Sequence, residues 1–377
     1  MRRLRVIALL LALAAVFALV AVRQAPVYPD SFSGVERLVA VGDVHGGYDE
    51  FVGLLRTAGV IDEHNRWSGG KTHLVQTGDL LDRGAGSRAI MDLVMRLERQ
   101  AVASGGRVHA LIGNHEAMNL TGDLRYVSAA EYAAFATPRS AAVRDRAYAA
   151  LADPARNDDP AYRQEWDKAH PLGWFEHRRA YDPDARYGRW IRRHNAAVKI
   201  NDYLFLHGGI GPVVASSPVR EINERLRAEI RRPDVPKDGL ASGRTGPLWY
   251  RGLAQAAEAD LEPQVDQLLA LHGVSHIVIG HTTMPGAVVP RLGGKVLLID
   301  VGLSAGYGAH PACLVVEHGA AFALHRGHKL RLPLGDEDAT VEYLKAAAAL
   351  DPPPSAIDPL IAAGGRLPLP EEAAEKR

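Results

Sequence analysis

In AVGDVHGGYDEF, Asp43 and His45 stand two positions apart, directly after an apolar run and before a helix-like pattern. Asp79, Asn114, His115, His207 and His281 recur in the same setting, each where a short apolar stretch stops. As ordinary core residues these side chains would each need a separate partner. One metal centre accounts for them together. Carboxylate, amide and imidazole donors without thiolate suit borderline-hard divalent ions such as Mn, Fe or Zn. Asp43, His45, Asp79, Asn114, His207 and His281 suffice for two divalent metal ions if one carboxylate bridges.

The elements that must position these groups are legible as alternating strands and helices. RLVAVGD, HLVQTGD, VHALIGN, YLFLHGG, HIVIGH and KVLLIDVG are short, rich in Val, Ile and Leu, and mostly end in Gly plus a polar residue, as buried strands do. Tyr48, Phe51, Leu54 and Leu55 share a face at helical spacing, as do Ile90, Leu93, Val94 and Leu97. Polar residues at the strand ends of an open α/β sheet lie where ligands bind. Gly46 and Gly47 give the backbone room to turn sharply beside the expected ions. The predicted organisation is a linker at 23–34, a catalytic domain at 35–330 with a largely helical insertion at 124–199, and an Ala/Pro-rich tail at 331–377. The tail reads as loosely packed or partly disordered.

The spacings match a known family. GDVHG (Gly42 to Gly46), GDLLDRG (Gly78 to Gly84), GNHE (Gly113 to Glu116), HGG (His207 to Gly209) and GH (Gly280, His281) resemble the motif series of calcineurin-like metallophosphoesterases. DRG and GNHE together narrow the resemblance to the phosphoprotein-phosphatase branch. NHEAMNLTGDLRYV and the N-terminal export signal look most like the Shewanella-like protein phosphatases. The resemblance implies an α/β calcineurin-like metallophosphoesterase sandwich, two mixed β-sheets flanked by helices, with a helical insertion. It implies that Asp43 and His45 hold the first metal, that Asp79 bridges, and that Asn114, His207 and His281 hold the second. His115 is then the general acid, oriented by Asp82, and Arg83 clamps the phosphate. Eukaryotic members carry a second phosphate arginine between the two ligand histidines and a signature loop after the last. Here VGLSAGYGAH stands in place of that loop, and GPLWYRG offers Arg251 as the second clamp, with Arg244 the alternative. Tyr307, in the same loop, reads first as a core or turn residue and second as part of the pocket rim.

The implied activity is that of a metal-dependent phosphatase, a phosphomonoesterase using metal-activated water on phosphotyrosine or phosphoserine/threonine in proteins or peptides. A hydrolase of small phosphoesters or nucleotides could use the same centre. A membrane-tethered phosphoprotein-binding pseudoenzyme would require a broken acid or clamp, and His115, Asp82 and Arg83 are all present. Charge is balanced, with 44 Lys+Arg against 44 Asp+Glu, so nothing global points to nucleic acid. The one cysteine, Cys313, excludes an internal disulfide and reads as a packed thiol. Arg178, Arg179, Arg186, Arg189, Arg192 and Arg193 in the insertion read as a solvated helix face, or else as a basic rim that steers a phosphorylated substrate.

Met1-Arg2-Arg3-Leu4-Arg5 precedes 17 residues, Val6 to Val22, without a charge. This is an export signal, read as an uncleaved inner-membrane anchor with a cleaved signal peptide as the alternative. Arginines before the run outnumber Arg23 just after it, which places the body of the chain in the periplasm. The enzyme is expected to fractionate with the inner membrane. N-terminal sequencing of the mature protein checks this, because a start near Val22 with activity wholly in the soluble periplasm discards the anchor.

Overall fold

The computed structural model describes residues 28–367 apart from positions 233 and 337. The predicted anchor at 1–22 and the last residues of the tail lie outside the described residues. Among the described residues no helix is long and apolar enough to cross a membrane.

The apolar runs form two six-stranded mixed sheets. In the first, β2 (Arg37–Val41), β3 (His73–Gln76) and β4 (Arg107–Ala110) are parallel neighbours. In the second, β6 (Tyr203–Leu206), β7 (His276–Ile279) and β9 (Val296–Leu298) are also parallel neighbours. Antiparallel strands extend each trio. β10 (Ala312–Glu317), β11 (Ala320–His325) and β12 (His328–Arg331) continue the first beyond β2. β8 (Val289–Arg291) pairs with β9, while β5 (Ala197–Ile200) pairs with β6 and carries β1 (Ser31–Phe32) at the far edge.

Both parallel trios are buried, with Val39, Val75, Leu204, Phe205, Val278 and Leu297 fully so. Each such side chain contributes roughly 1.5–3 kcal/mol on leaving water. Two helices flank the first sheet, α1 (Tyr48–Thr57) and α2 (Ser87–Ala103), and they bury the faces the spacing predicts, Phe51, Leu54 and Leu55 on one and Ile90, Leu93, Val94 and Leu97 on the other. A third, α3 (Asn114–Thr121), starts directly on the GNHE motif.

Three boundaries differ from expectation. The helical insertion stops short of 199, because Ala197 to Ile200 is the strand β5, too brief to stand out after an arginine-rich helix. The linker is not wholly irregular, since Ser31 and Phe32 pair with Lys199 and Ile200. The described part of the tail packs: the helices Ala339–Ala348 and Asp358–Ala362 bury Tyr343, Leu344, Ala347 and Leu360. Asp351 fastens it by accepting from His325, Arg326 and Ser355. Alanine and proline composition hid that amphipathic face. Cys313 is buried in β10, where burial pushes its thiol up to about 12.

Candidate active site

Every strand of the two parallel trios delivers a polar residue at its C-terminal end. Asp43 follows β2, Asp79 follows β3 and Asn114 follows β4, while His207, His281 and Asp300 follow β6, β7 and β9. All six are buried. The sheets approach so closely there that the turns permit little side-chain bulk. A Cβ on Gly280 would lie 2.5 Å from the Asp43 carboxylate, and one on Gly46, at φ +68°, would lie 2.6 Å from Gly84. His45, Asp79, Asp82, Arg83 and His281 all adopt positive φ without being glycine. Such conformations cost on the order of 1–2 kcal/mol per residue. Their concentration here marks backbone held for side-chain placement.

Two triads of potential ligand atoms share Asp79: His45, Asp79 and His115, and Asp79, His207 and His281. Hydrogen bonds fix which nitrogens face inward. His45 Nδ1 lies 3.1 Å from the Leu81 carbonyl and His207 Nδ1 lies 3.0 Å from that of Thr77. A carbonyl only accepts, so each Nδ1 carries a proton and each ring turns its Nε2 toward the centre, where the ring offers a lone pair once that nitrogen is unprotonated. The His207 Nε2 then meets another acceptor, Asn114 Oδ1, at 2.9 Å, and is 3.4 Å from Asp79. His281 Nε2 is buried without a hydrogen-bond partner. Burial, His207 and Arg251 push that imidazole down to about 2. Acceptors aimed at one another in a buried space fit a cation between them.

The carboxylates point the same way. Burial, with Asp300 and Asp79 nearby, raises Asp43 well above the usual carboxyl range. Asp300 is raised too, by burial first and despite donation from Thr283 Oγ1 at 2.7 Å and Gly302 N–H at 3.1 Å. Burial opposes ionisation of Asp79, but His207, His115 and His45 outweigh it and hold the carboxyl well below its ordinary value. Asp43 contributes Oδ2 3.8 Å from His45 Nε2, while its Oδ1 accepts from the His281 N–H.

His115 stands at the rim of this cluster. Its Nδ1 is 2.6 Å from Asp82 Oδ2 and its Nε2 is 3.8 Å from Asp79 Oδ2. Burial pulls its pKa down, but Asp79 and Asp82 more than offset this, leaving it raised. Arg83 is exposed and lies between two rings, 4.6 Å from the centre of Tyr126 and 5.3 Å from that of Tyr307. Arg251 reaches the same mouth, donating to the His281 carbonyl at 2.7 Å and to Thr282 at 3.1 Å. Arg244 is exposed on the neighbouring loop. The structure thus brings together Asp43, His45, Asp79, Asn114, His115, His207, His281, Asp82, Arg83 and Arg251. Tyr307 belongs to the rim, stacked on His45 at 5.4 Å, rather than to the core.

Sequence reasoning missed four groups. Asp300 follows an apolar run just as the predicted ligands do, a signal that was present in KVLLIDVG. Glu116, in the quoted GNHE, accepts from the N–H groups of Asp79, Leu80 and Gly113 at 2.8–2.9 Å and so ties two site loops together. Tyr126 stands next to last in the NHEAMNLTGDLRYV motif. Glu131, on α4 (Ala129–Phe135) of the insertion, is fully buried, and its nearest cation candidate, His177, is 3.8 Å away with burial pushing that ring down to about 3.

The comparisons with known proteins agree with this geometry. The chain belongs to the calcineurin-like phosphoesterase family, whose model matches residues 36–285, and is thus an enzyme that hydrolyses phosphoesters. It is similar to Shewanella-like protein phosphatase 2 of Arabidopsis thaliana, at 29% identity over 73% of each chain. Shewanella-like protein phosphatase 1 of Plasmodium berghei is 26% identical over 71% of this chain and 67% of its own. Among solved structures, the cold-active protein-tyrosine phosphatase of a psychrophilic Shewanella species superposes with a TM-score of 0.63 at 30% identity, covering 81% of this chain and 83% of that one. The family implies divalent metals, and the donor set described above fits them.

Burial first, then the Asp82 carboxylate, raises Glu131 well above the usual range, so the folded chain holds this proton more tightly than the unfolded chain does. A raised folded pKa makes stability decline as pH climbs above the unfolded value of about 4.3. Glu131→Gln is therefore expected to match the parent near pH 4 and to be more stable at pH 8, whereas Glu131→Ala loses about 2–3 kcal/mol near pH 4 by opening a cavity and recovers part of that loss as pH rises. Thermal unfolding across pH checks this, and a Gln variant less stable than the parent at pH 8 overturns the upward shift at Glu131.

Proposed function

We propose that this chain is a dimetal phosphomonoesterase acting on phosphorylated proteins or peptides, exported and held at the membrane by its N-terminal run. The observation that carries the reading is the convergence, at one buried strand edge, of two ligand triads sharing Asp79 with the His115–Asp82 pair and Arg83 beside them. Its similarity to protein phosphatases and to a protein-tyrosine phosphatase supports protein substrates and favours phosphotyrosine.

In this reading Asp43, His45 and Asp79 hold one ion, and Asp79, Asn114, His207 and His281 the other. Two divalent cations supply the positive charge that polarises a phosphoryl group and turns water into a nucleophile. The protein's own groups do the rest. Arg83 presents a planar fork to the phosphoryl oxygens, its plane restrained by Tyr126 and Tyr307. Arg251 lies on the opposite loop as a second clamp. His115 gives a proton from Nε2 to the leaving oxygen, and Asp82 fixes the ring by holding Nδ1–H. That contact favours His115 as acid over His115 as ligand.

Purified full-length protein with Mn added is expected to hydrolyse phosphotyrosine peptides faster than nucleotides; turnover of nucleotides but not phosphopeptides overturns the substrate assignment. His115→Asn should lower turnover of poor-leaving-group substrates by about 10²–10⁴-fold, spare activated aryl phosphates more, and leave metal content intact. Lost metal would instead make His115 a ligand. Asp79→Asn should lower occupancy of both ions while His281→Ala empties mainly one, so identical single-ion losses in metal analysis would discard the bridging role.

A further inference from the structure

A second cationic feature lies outside the hydrolytic centre. Tyr28, Pro183, Arg189, Arg192, Arg193 and Arg231 line a groove of about 290 Å³ in which no carboxylate takes part. Several other arginines of the insertion are paired, Arg144 and Arg163 with Asp167, Arg156 with Glu165, and Arg186 with Asp92, while Arg178 donates to the Asn119 carbonyl instead. Among the described residues, Arg189, Arg192, Arg193 and Arg231 form no salt bridge.

The groove is built, not incidental. Arg192 is buried, and its Nε and Nη1 are held by the carbonyls of Ile230, Tyr181 and Gly188. Arg231 Nη2 approaches the Arg192 carbonyl, at 3.5 Å. Burial lowers the Arg192 pKa, and Arg231 and Arg178 add to this while Asp182 opposes it. Arg227, behind Tyr28 at 5.2 Å, is lowered by burial and by Arg231, with Asp30 and Glu224 opposing. Glu224 is itself engaged by Arg220. Arginines gathered in a lining without a carboxylate favour an anion, and guanidinium forks match phosphate oxygens bidentately.

Position selects the source of that anion. Tyr28 lies six residues beyond Val22, the end of the apolar run, so the intervening chain spans at most ~20 Å. The emerging strand is pinned beside the groove, where the Pro29 carbonyl accepts from Asn195 Nδ2 at 3.0 Å and the Asp30 carbonyl from the Lys199 N–H at 2.8 Å. We infer that this arginine groove binds the phosphate of an anionic phospholipid headgroup and thereby seats the catalytic domain on the bilayer that its N-terminal run enters. The inference rests on retention of that run, as proposed above, and is separate from the hydrolytic chemistry. Arginines close to a membrane surface are attracted by anionic lipid, and a groove beside the tether gains from its high local concentration.

The test uses the full-length chain in nanodiscs of phosphatidylcholine alone or with phosphatidylglycerol, read by hydrogen exchange over residues 186–193 and 227–232. Slower exchange only in the anionic discs is expected, together with its loss in the triple variant Arg189→Gln, Arg193→Gln, Arg231→Gln. Hydrolysis of a small aryl phosphate should be unchanged by the triple substitution. Equal exchange in both discs overturns the proposal, as does slowing that survives the triple variant. Slowing reproduced in detergent by inorganic phosphate alone also overturns it, because the groove is then a soluble-anion site. The mass of the disc-bound chain reports retention of the run separately, and a chain shortened to near Val22 removes the proposal's basis.

Discussion

Asp43, Asp79 and Asp300 are packed out of water at the junction of two sheets, and their mutual repulsion constrains everything around them. Burying even one ionised carboxylate without compensation costs several kcal/mol. Three are tolerable only where opposing charge is supplied. His45, His115 and His207 offset Asp79, which is why that carboxyl alone is held low. Asp43 also has His45 at 3.8 Å and His207 at 3.9 Å, but burial and the neighbouring carboxylates prevail there, and both it and Asp300 are raised. The cluster as folded is thus a deficit of positive charge, bordered by nitrogen lone pairs aimed inward, and divalent cations are the chemical class that answers both conditions.

That deficit has to be held open by structure that would otherwise relax. The positive φ angles at His45, Asp79, Asp82, Arg83 and His281 oppose folding locally, and the surrounding contacts must over-determine them. Glu116 does much of this, since its two oxygens accept three N–H groups from the Asp79 and Asn114 loops. Asn119 adds a tie by donating to Asp82 Oδ1 and to the His115 carbonyl. Arg178 of the insertion bonds the Asn119 carbonyl at 3.1 Å, so a segment far along the chain braces the same helix. The insertion is accordingly part of the site's support as well as of its surface.

Much of this was legible because buried parallel strands advertise themselves. A continuous apolar run ending in glycine and a polar residue located six strand ends, and their convergence follows from two parallel trios facing one another. What escaped did so for physical reasons. Asp300 shares the pattern but not the motif vocabulary, so it read as the end of a core strand. Glu131 sits three residues after Ser128, a spacing that reads as a capping box. Ser128 does accept from the Glu131 N–H, but the Glu131 side chain turns into the core instead of back to the cap. β1 and β5 are too short to show periodicity, and their pairing depends on contacts far apart in sequence. In the tail, alanine hides amphipathicity because its burial changes hydropathy little.

The rim follows a different logic from the centre. Ligand positions tolerate only a few donor types, whereas Arg83 needs only a defined plane and room for the ligand. Tyr126 supplies the first from one side through its ring, and its carbonyl also accepts the Arg83 N–H at 3.0 Å. Tyr307 supplies it from the other while stacking on His45. Tyr126 in turn lies 5.1 Å from the His115 ring. A displacement of either tyrosine therefore bears at once on the Arg83 guanidinium and on an imidazole of the centre. Tyr126 thus joins Arg83 to His115 and Tyr307 joins Arg83 to His45, through two aromatic side chains from loops far apart in sequence.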